Sequence, residues 1–169
     1  MRRNTVKLIS LSIKELYGCY DYEVPFNEDV TLLFGENGCG KTTILNIIEC
    51  IITGQLYRLF DYKYESIILK YAEITDEDDV KDISVNSTKS GLKVAISGNE
   101  KVADIKNTSD VYYRGSIADY YFSKYKILRE ISNIFNYVSL PLNRVDRSIQ
   151  VKRYDFEENN RFIDSISFR

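Results

Sequence analysis

The stretch LLFGENGCGKTTILNII, residues 32 to 48, changes character twice. An apolar run gives way to a glycine-rich loop, and the loop gives way to isoleucine and leucine at helical spacing. No other segment limits the fold as strongly, because it requires a strand, a tight loop and a helix in immediate succession. Gly35 to Thr42 fits the pattern G-x-x-x-x-G-K-[ST] in full. Gly35, Gly38 and Gly40 permit backbone angles that turn successive N–H groups inward and leave room for phosphate oxygens. Glu36, Asn37 and Cys39 fill the positions between them, Cys39 as a small filler and not a redox centre. The helix that follows directs the positive end of its dipole at the same place. Lys41 is expected to reach the β- and γ-phosphates of a nucleotide, the Thr42 hydroxyl to ligate Mg²⁺, and Thr43 to reach the α-phosphate side.

Composition sets bounds on what surrounds this loop. At 19.7 kDa the chain is long enough for one domain with a real core and hardly more. A net charge of −2 supplies no global basic field for nucleic acid, although a local patch is compatible with it. The absence of histidine excludes His-containing metal sites and His general bases. Cys19, Cys39 and Cys50 have neither disulfide-framework nor zinc spacing. The basic N-terminus lacks an apolar signal-peptide core, and no window approaches a membrane-spanning length. A cytoplasmic location is the expectation.

Along the chain, Val6 to Leu16 reads as a strand with Ile9, Leu11 and Ile13 alternating. Tyr17-Gly18 breaks it, and Tyr20, Tyr22, Val24 and Phe26 resume the alternation. Asn27 to Asp29 is a turn. Val30 to Phe34 is expected to be a central strand covered on both faces, followed by a helix from Lys41 to Ile52 that Gly54 ends. Tyr64 to Tyr71 reads as a strand, the acidic run at 75 to 79 as a solvated loop, and 83–85 with 92–96 as a β-hairpin. A single helix is expected over 114–135, its stripe made by Ile117, Tyr121, Tyr125, Leu128, Ile131 and Phe135. A strand follows at 137–142, ended by Pro141. The expected organisation is one partial head. It comprises a β layer and strand-loop-helix over 1–54, a β-rich insert over 55–110, a helix and strand over 111–146, and a polar tail over 147–169.

The residues between the glycines say more. G-x-N-G-x-G-K-T-T followed by I-L-x-x-I resembles the ABC-type ATPases, especially their SMC/RecF/OLD-like branch. LeuSerIleLysGluLeuTyrGly at 11–18 is similar to that branch's opening strand pair, and ValSerLeuProLeuAsnArg at 138–144 to a later strand ending in Pro-x-x-Arg. The resemblance implies an α/β P-loop NTPase core with a flanking antiparallel β layer over the base and ribose, of which this chain holds the N-terminal portion. It implies ATP and Mg²⁺ as ligands. Its implied partners are a second copy or partner chain that completes the ATP site, with DNA or a nuclease or effector protein beyond, in DNA repair or antiviral defence. Tyr17 stands where an adenine-stacking residue is expected, in place of the family's basic residue, and a core role is the alternative. Gln150 is the nearest candidate for the glutamine of the family's Q-loop.

Other parts of the family pattern are missing. No run of four apolar residues ends in Asp-Glu, LeuPheAspTyr at 59–62 being too short, and no LSGGQ-like segment occurs. No catalytic residue is therefore assigned in this chain. The expectation is binding without autonomous turnover, with hydrolysis supplied by C-terminal elements. The alternatives are a non-hydrolysing ATP sensor, a transporter's nucleotide-binding subunit, or a small P-loop kinase or GTPase; the GTPase reading lacks an N-K-x-D motif.

Overall fold

A computed structural model describes residues 6–74, 76–97, 101–107, 116–135, 138–139 and 152–153. Strands β1 (Val6–Leu16) and β2 (Tyr20–Pro25) pair antiparallel, with the break at Tyr17-Gly18 where the sequence puts it. Strands β3 (Ser66–Glu73), β4 (Asp76–Thr88), β5 (Gly91–Ile96) and β6 (Lys101–Lys106) extend the same sheet in the order β2-β1-β3-β4-β5-β6. Every neighbouring pair is antiparallel. The β4–β5 hairpin closes over Lys89-Ser90, with the Thr88 hydroxyl donating to the Gly91 carbonyl at 2.9 Å.

Period-two alternation gives this sheet one apolar face. One row runs Tyr22, Ile13, Ile67, Val85, Val94; the next runs Val24, Leu11, Leu69, Ile83, Ile96. These side chains are buried, save the partly exposed Tyr22 at the edge. Helix α1 (Lys41–Ile52) buries Ile44, Ile47, Ile48, Cys50, Ile51 and Ile52 in the same core. A 3₁₀ turn at Leu56–Asp61 follows, adding Leu56 and Leu59 to that core.

Three expectations need correction. The segment Val30 to Phe34 is not a strand, and Val30, Leu32 and Phe34 are 65%, 67% and 85% exposed. A strand exists only when its backbone groups have a ladder partner, and no described segment pairs with this one. The acidic run is not a loop either, since Asp76 to Asp79 open β4 and Asp76 pairs with Glu73. Lys81 Nζ lies 3.1 Å from Asp79 and 3.2 Å from Glu73, which offsets like-charge repulsion there. These two contacts, Asp79 first, raise the Lys81 pKa above the usual lysine value. Finally, the helix expected at 114–135 is two helices among the described residues, α2 (Ile117–Lys124) and α3 (Lys126–Ile134).

Tyrosines tether the chain at that break. Tyr125 is extended at φ −119° and ψ 97°, its hydroxyl accepting from the Lys106 N–H at 3.1 Å. The Tyr121 hydroxyl donates to the Lys106 carbonyl at 3.3 Å. Both contacts hold the helices to the end of β6. Ser116 and Asp119 form a capping box that starts α2. Ile117, assigned to the apolar stripe, is 62% exposed, whereas Tyr121, Leu128 and Ile131 are buried. Of the strand expected at 137–142 only Val138–Ser139 is described; it pairs with Lys152–Arg153. Pro141, Arg144 and Gln150 lie outside the described residues. No described helix is long and apolar enough to cross a membrane.

Gly54 ends α1 in the left-handed region at φ +69°, and a Cβ there would lie 2.3 Å from the Leu128 carbonyl oxygen. Gly54→Ala therefore combines backbone strain with a collision against α3. We expect a loss of about 2 kcal/mol or more in chemical denaturation; unchanged stability would mean that α3 does not seat on Gly54.

Candidate functional site

The loop at 35–40 lies between segment 30–34, unpaired among the described residues, and the first turn of α1. Gly35, Gly38 and Gly40 all have positive φ, of 156°, 89° and 85°. Glu36 accepts from the Cys39 N–H at 3.3 Å, which closes the loop on itself. Gly40 is the N-cap of α1, and its carbonyl accepts from the Ile44 N–H at 2.9 Å. A glycine cap brings no side chain to satisfy the first N–H groups of the helix, and the first turn carries no acidic residue. Those donors and the helix dipole suit an anion.

The sequence-assigned residues Gly35, Glu36, Asn37, Gly38, Cys39, Gly40, Lys41, Thr42 and Thr43 form one continuous loop and helix start. Lys41 Nζ donates to the Gly35 carbonyl at 2.8 Å and the Glu36 carbonyl at 2.7 Å, and lies 3.6 Å from Cys39 Sγ. The ammonium is thus drawn back over the loop it follows. Thr42 is exposed at the first turn. No group of three or more Cys, Asp or Glu suited to a metal occurs among the described residues. A hard cation at this helix start would have the Thr42 hydroxyl as its protein oxygen, with the rest of its shell from a bound phosphate and water.

Tyr17 occupies the β1–β2 turn, 51% exposed at φ 57°, with its N–H donating to the Lys63 carbonyl at 2.7 Å. The residue that reaches the loop is a different tyrosine. Tyr22, on the core face of edge strand β2, donates its hydroxyl to the Cys39 carbonyl at 3.1 Å. Burial, then the neighbouring Cys39, Tyr20, Cys19 and Tyr17, raise its pKa above the usual tyrosine value, so it remains a donor. Sequence reasoning missed this role. The available signal was a hydroxyl on an inward-facing position, which needs an acceptor when it packs against other groups.

The acidic start of β4 stands well away from the Tyr22 row. Asp76 lies level with Glu73 and Val6, whereas Tyr22 lies level with Ile13. Seven strand residues separate the two levels, about 20 Å at the usual rise.

Residues 10–168 match the family described as an AAA domain. The chain is also 45% identical over 49 residues to the DNA replication and repair protein RecF of Desulfitobacterium hafniense, 29% of this chain and 13% of that protein. It is 41% identical over 51 residues to the DNA repair protein RAD50 of Drosophila melanogaster, 27% of this chain and 4% of that protein. The matched parts are thus a small share of either relative's length. Together with the family match, these similarities support an SMC/RecF-like P-loop ATPase N-terminal region.

The cysteines give the site a direct check. Cys19 and Cys39 are exposed, while Cys50 is buried in α1, where burial, partly offset by Arg58, pushes its thiol from 9.0 to about 11. A chromogenic thiol reagent at about pH 8 should modify Cys19 and Cys39 in the native chain and Cys50 only after unfolding. The folded state holds the Cys50 proton more tightly than the unfolded chain. Its contribution to stability is therefore full below about pH 9 and lost as the pH climbs toward 11. Rapid native labelling of Cys50 would contradict the packing of α1.

Proposed function

The chain belongs to the AAA-domain family, whose match spans residues 10–168, and on that premise we propose that it binds ATP with Mg²⁺ through the loop at 35–40 and the start of α1. The observation that carries this reading is the position of Lys41, its ammonium within 2.8 Å of loop carbonyls beside a helix start without acid or side-chain cap. Lys41 moves from those carbonyls to the β- and γ-phosphates. The N–H groups of Gly38 to Thr42 surround the phosphate oxygens, and Thr43 lies toward the α-phosphate. The Thr42 hydroxyl would hold Mg²⁺, which would supply charge neutralisation to the phosphates. Tyr17, exposed in the β1–β2 turn, offers a ring to the base.

Hydrolysis needs a carboxylate to support the metal and another to orient water. No apolar run ending in Asp-Glu occurs in the sequence. The acids at 76–79 stand about 20 Å along the strands from the Tyr22 row, and Asp79 is engaged with Lys81. We therefore assign turnover to a C-terminal lobe or partner chain of an SMC/RecF-like ATPase, with a second head closing the γ-phosphate side. The relatives named for DNA repair make DNA processing the proposed setting. The same distance favours a second reading, a module that senses ATP without hydrolysing it.

Replacing Lys41 with Ala removes a charge-assisted contact worth about 1.5–3 kcal/mol. ATP affinity measured by titration calorimetry should fall roughly tenfold or more; equal affinity for the two proteins refutes the assignment. In a phosphate-release assay the isolated chain should turn over ATP no faster than Lys41→Ala. Robust Lys41-dependent turnover without a partner would place the catalytic acids in this chain after all. Activity on adding a C-terminal lobe separates the ATPase reading from the sensor.

A further inference from the structure

Peptide planarity gives the Tyr22 contact a meaning beyond packing. The Cys39 carbonyl and the Gly40 N–H belong to one planar trans unit and point in opposite directions. The Tyr22 hydroxyl holds that carbonyl toward β2 at 3.1 Å, so the Gly40 N–H faces away from β2. On its other side Gly40 is fixed by its carbonyl, which accepts the first helical hydrogen bond from Ile44 at 2.9 Å. Gly40 is thus set from both ends, by the edge strand of the β sheet and by α1. The fit is close, since a Cβ on Gly40 would lie 2.8 Å from the Tyr22 hydroxyl oxygen.

We propose that Tyr22 is a positioning residue for phosphate binding: its hydroxyl orients the Cys39–Gly40 peptide so that the Gly40 N–H is presented to the bound phosphates before they arrive. The inference rests on the nucleotide-binding reading above. Donors fixed in advance cost no reorganisation when the ligand binds. The β sheet then contributes to the phosphate site itself. Tyr22 touches no phosphate and acts only through the peptide.

The test compares the 169-residue chain with Tyr22→Phe and with Tyr20→Phe, the neighbouring exposed tyrosine, as control. Calorimetric titrations use Mg-ATP and, separately, inorganic tripolyphosphate, which has no base. Tyr22→Phe should weaken both by a similar factor, roughly three- to tenfold for one lost hydrogen bond, with Tm within about 2 °C of wild type. Tyr20→Phe should change neither. Wild-type affinity in Tyr22→Phe overturns the proposal. So does a loss for Mg-ATP alone, which would move Tyr22 to the base. An affinity loss that follows a fall in Tm would make Tyr22 a packing residue only. If the wild-type chain binds neither ligand, the nucleotide reading fails first and takes this inference with it.

Discussion

The position at which α1 begins determines what the glycine-rich loop can do, and that position is set by packing far from the loop. Six residues of α1, Ile44, Ile47, Ile48, Cys50, Ile51 and Ile52, are buried in the core beneath the sheet. Removing a buried aliphatic side chain of this kind costs on the order of 2–5 kcal/mol, so the helix cannot slide to suit a ligand. The first turn inherits that rigidity. A glycine N-cap and uncapped N–H groups are then a fixed feature of the fold, available to an anion without rearrangement of the core.

Charge around this point is arranged consistently with that use. Glu36, the one acid of the loop, is exposed and lends its backbone carbonyl to Lys41. Lys81 ties the acidic stretch of β4 to Glu73, at the opposite end of the sheet's strands from the Tyr22 row. The separation keeps the acidic stretch of β4 away from the Tyr22 row in a chain of slightly negative net charge.

The parts of this arrangement that were legible in the sequence are those set by local geometry. Glycines at 35, 38 and 40 followed by Lys41 and Thr42 constrain their own backbone, and α1 and its end at Gly54 follow from spacing. The β4–β5 hairpin was legible for the same reason. Features that depend on distant partners were not. Val30 to Phe34 has the composition of a buried strand, but strand formation depends on a neighbouring ladder that composition does not encode. Asp76 to Asp79 looked like a loop because of their charge, yet pairing with Glu73 and the bridge from Lys81 draw them into β4. The division of the 114–135 helix depends on hydroxyls of Tyr121 and Tyr125 meeting Lys106 from another element. Tyr22 combines both cases: alternation points it inward, but nothing local reveals that Cys39 lies opposite.

Phosphates bound at the loop and first turn of α1 would meet donors the fold holds ready. Backbone amide NMR of the isotopically labelled chain during titration with Mg-ATP tests this most directly. Binding there should place the largest shift changes on the amides of Gly38 to Thr43, with small changes on β3 to β6. Changes concentrated elsewhere in the chain, or none at the loop at saturating ligand, would contradict it.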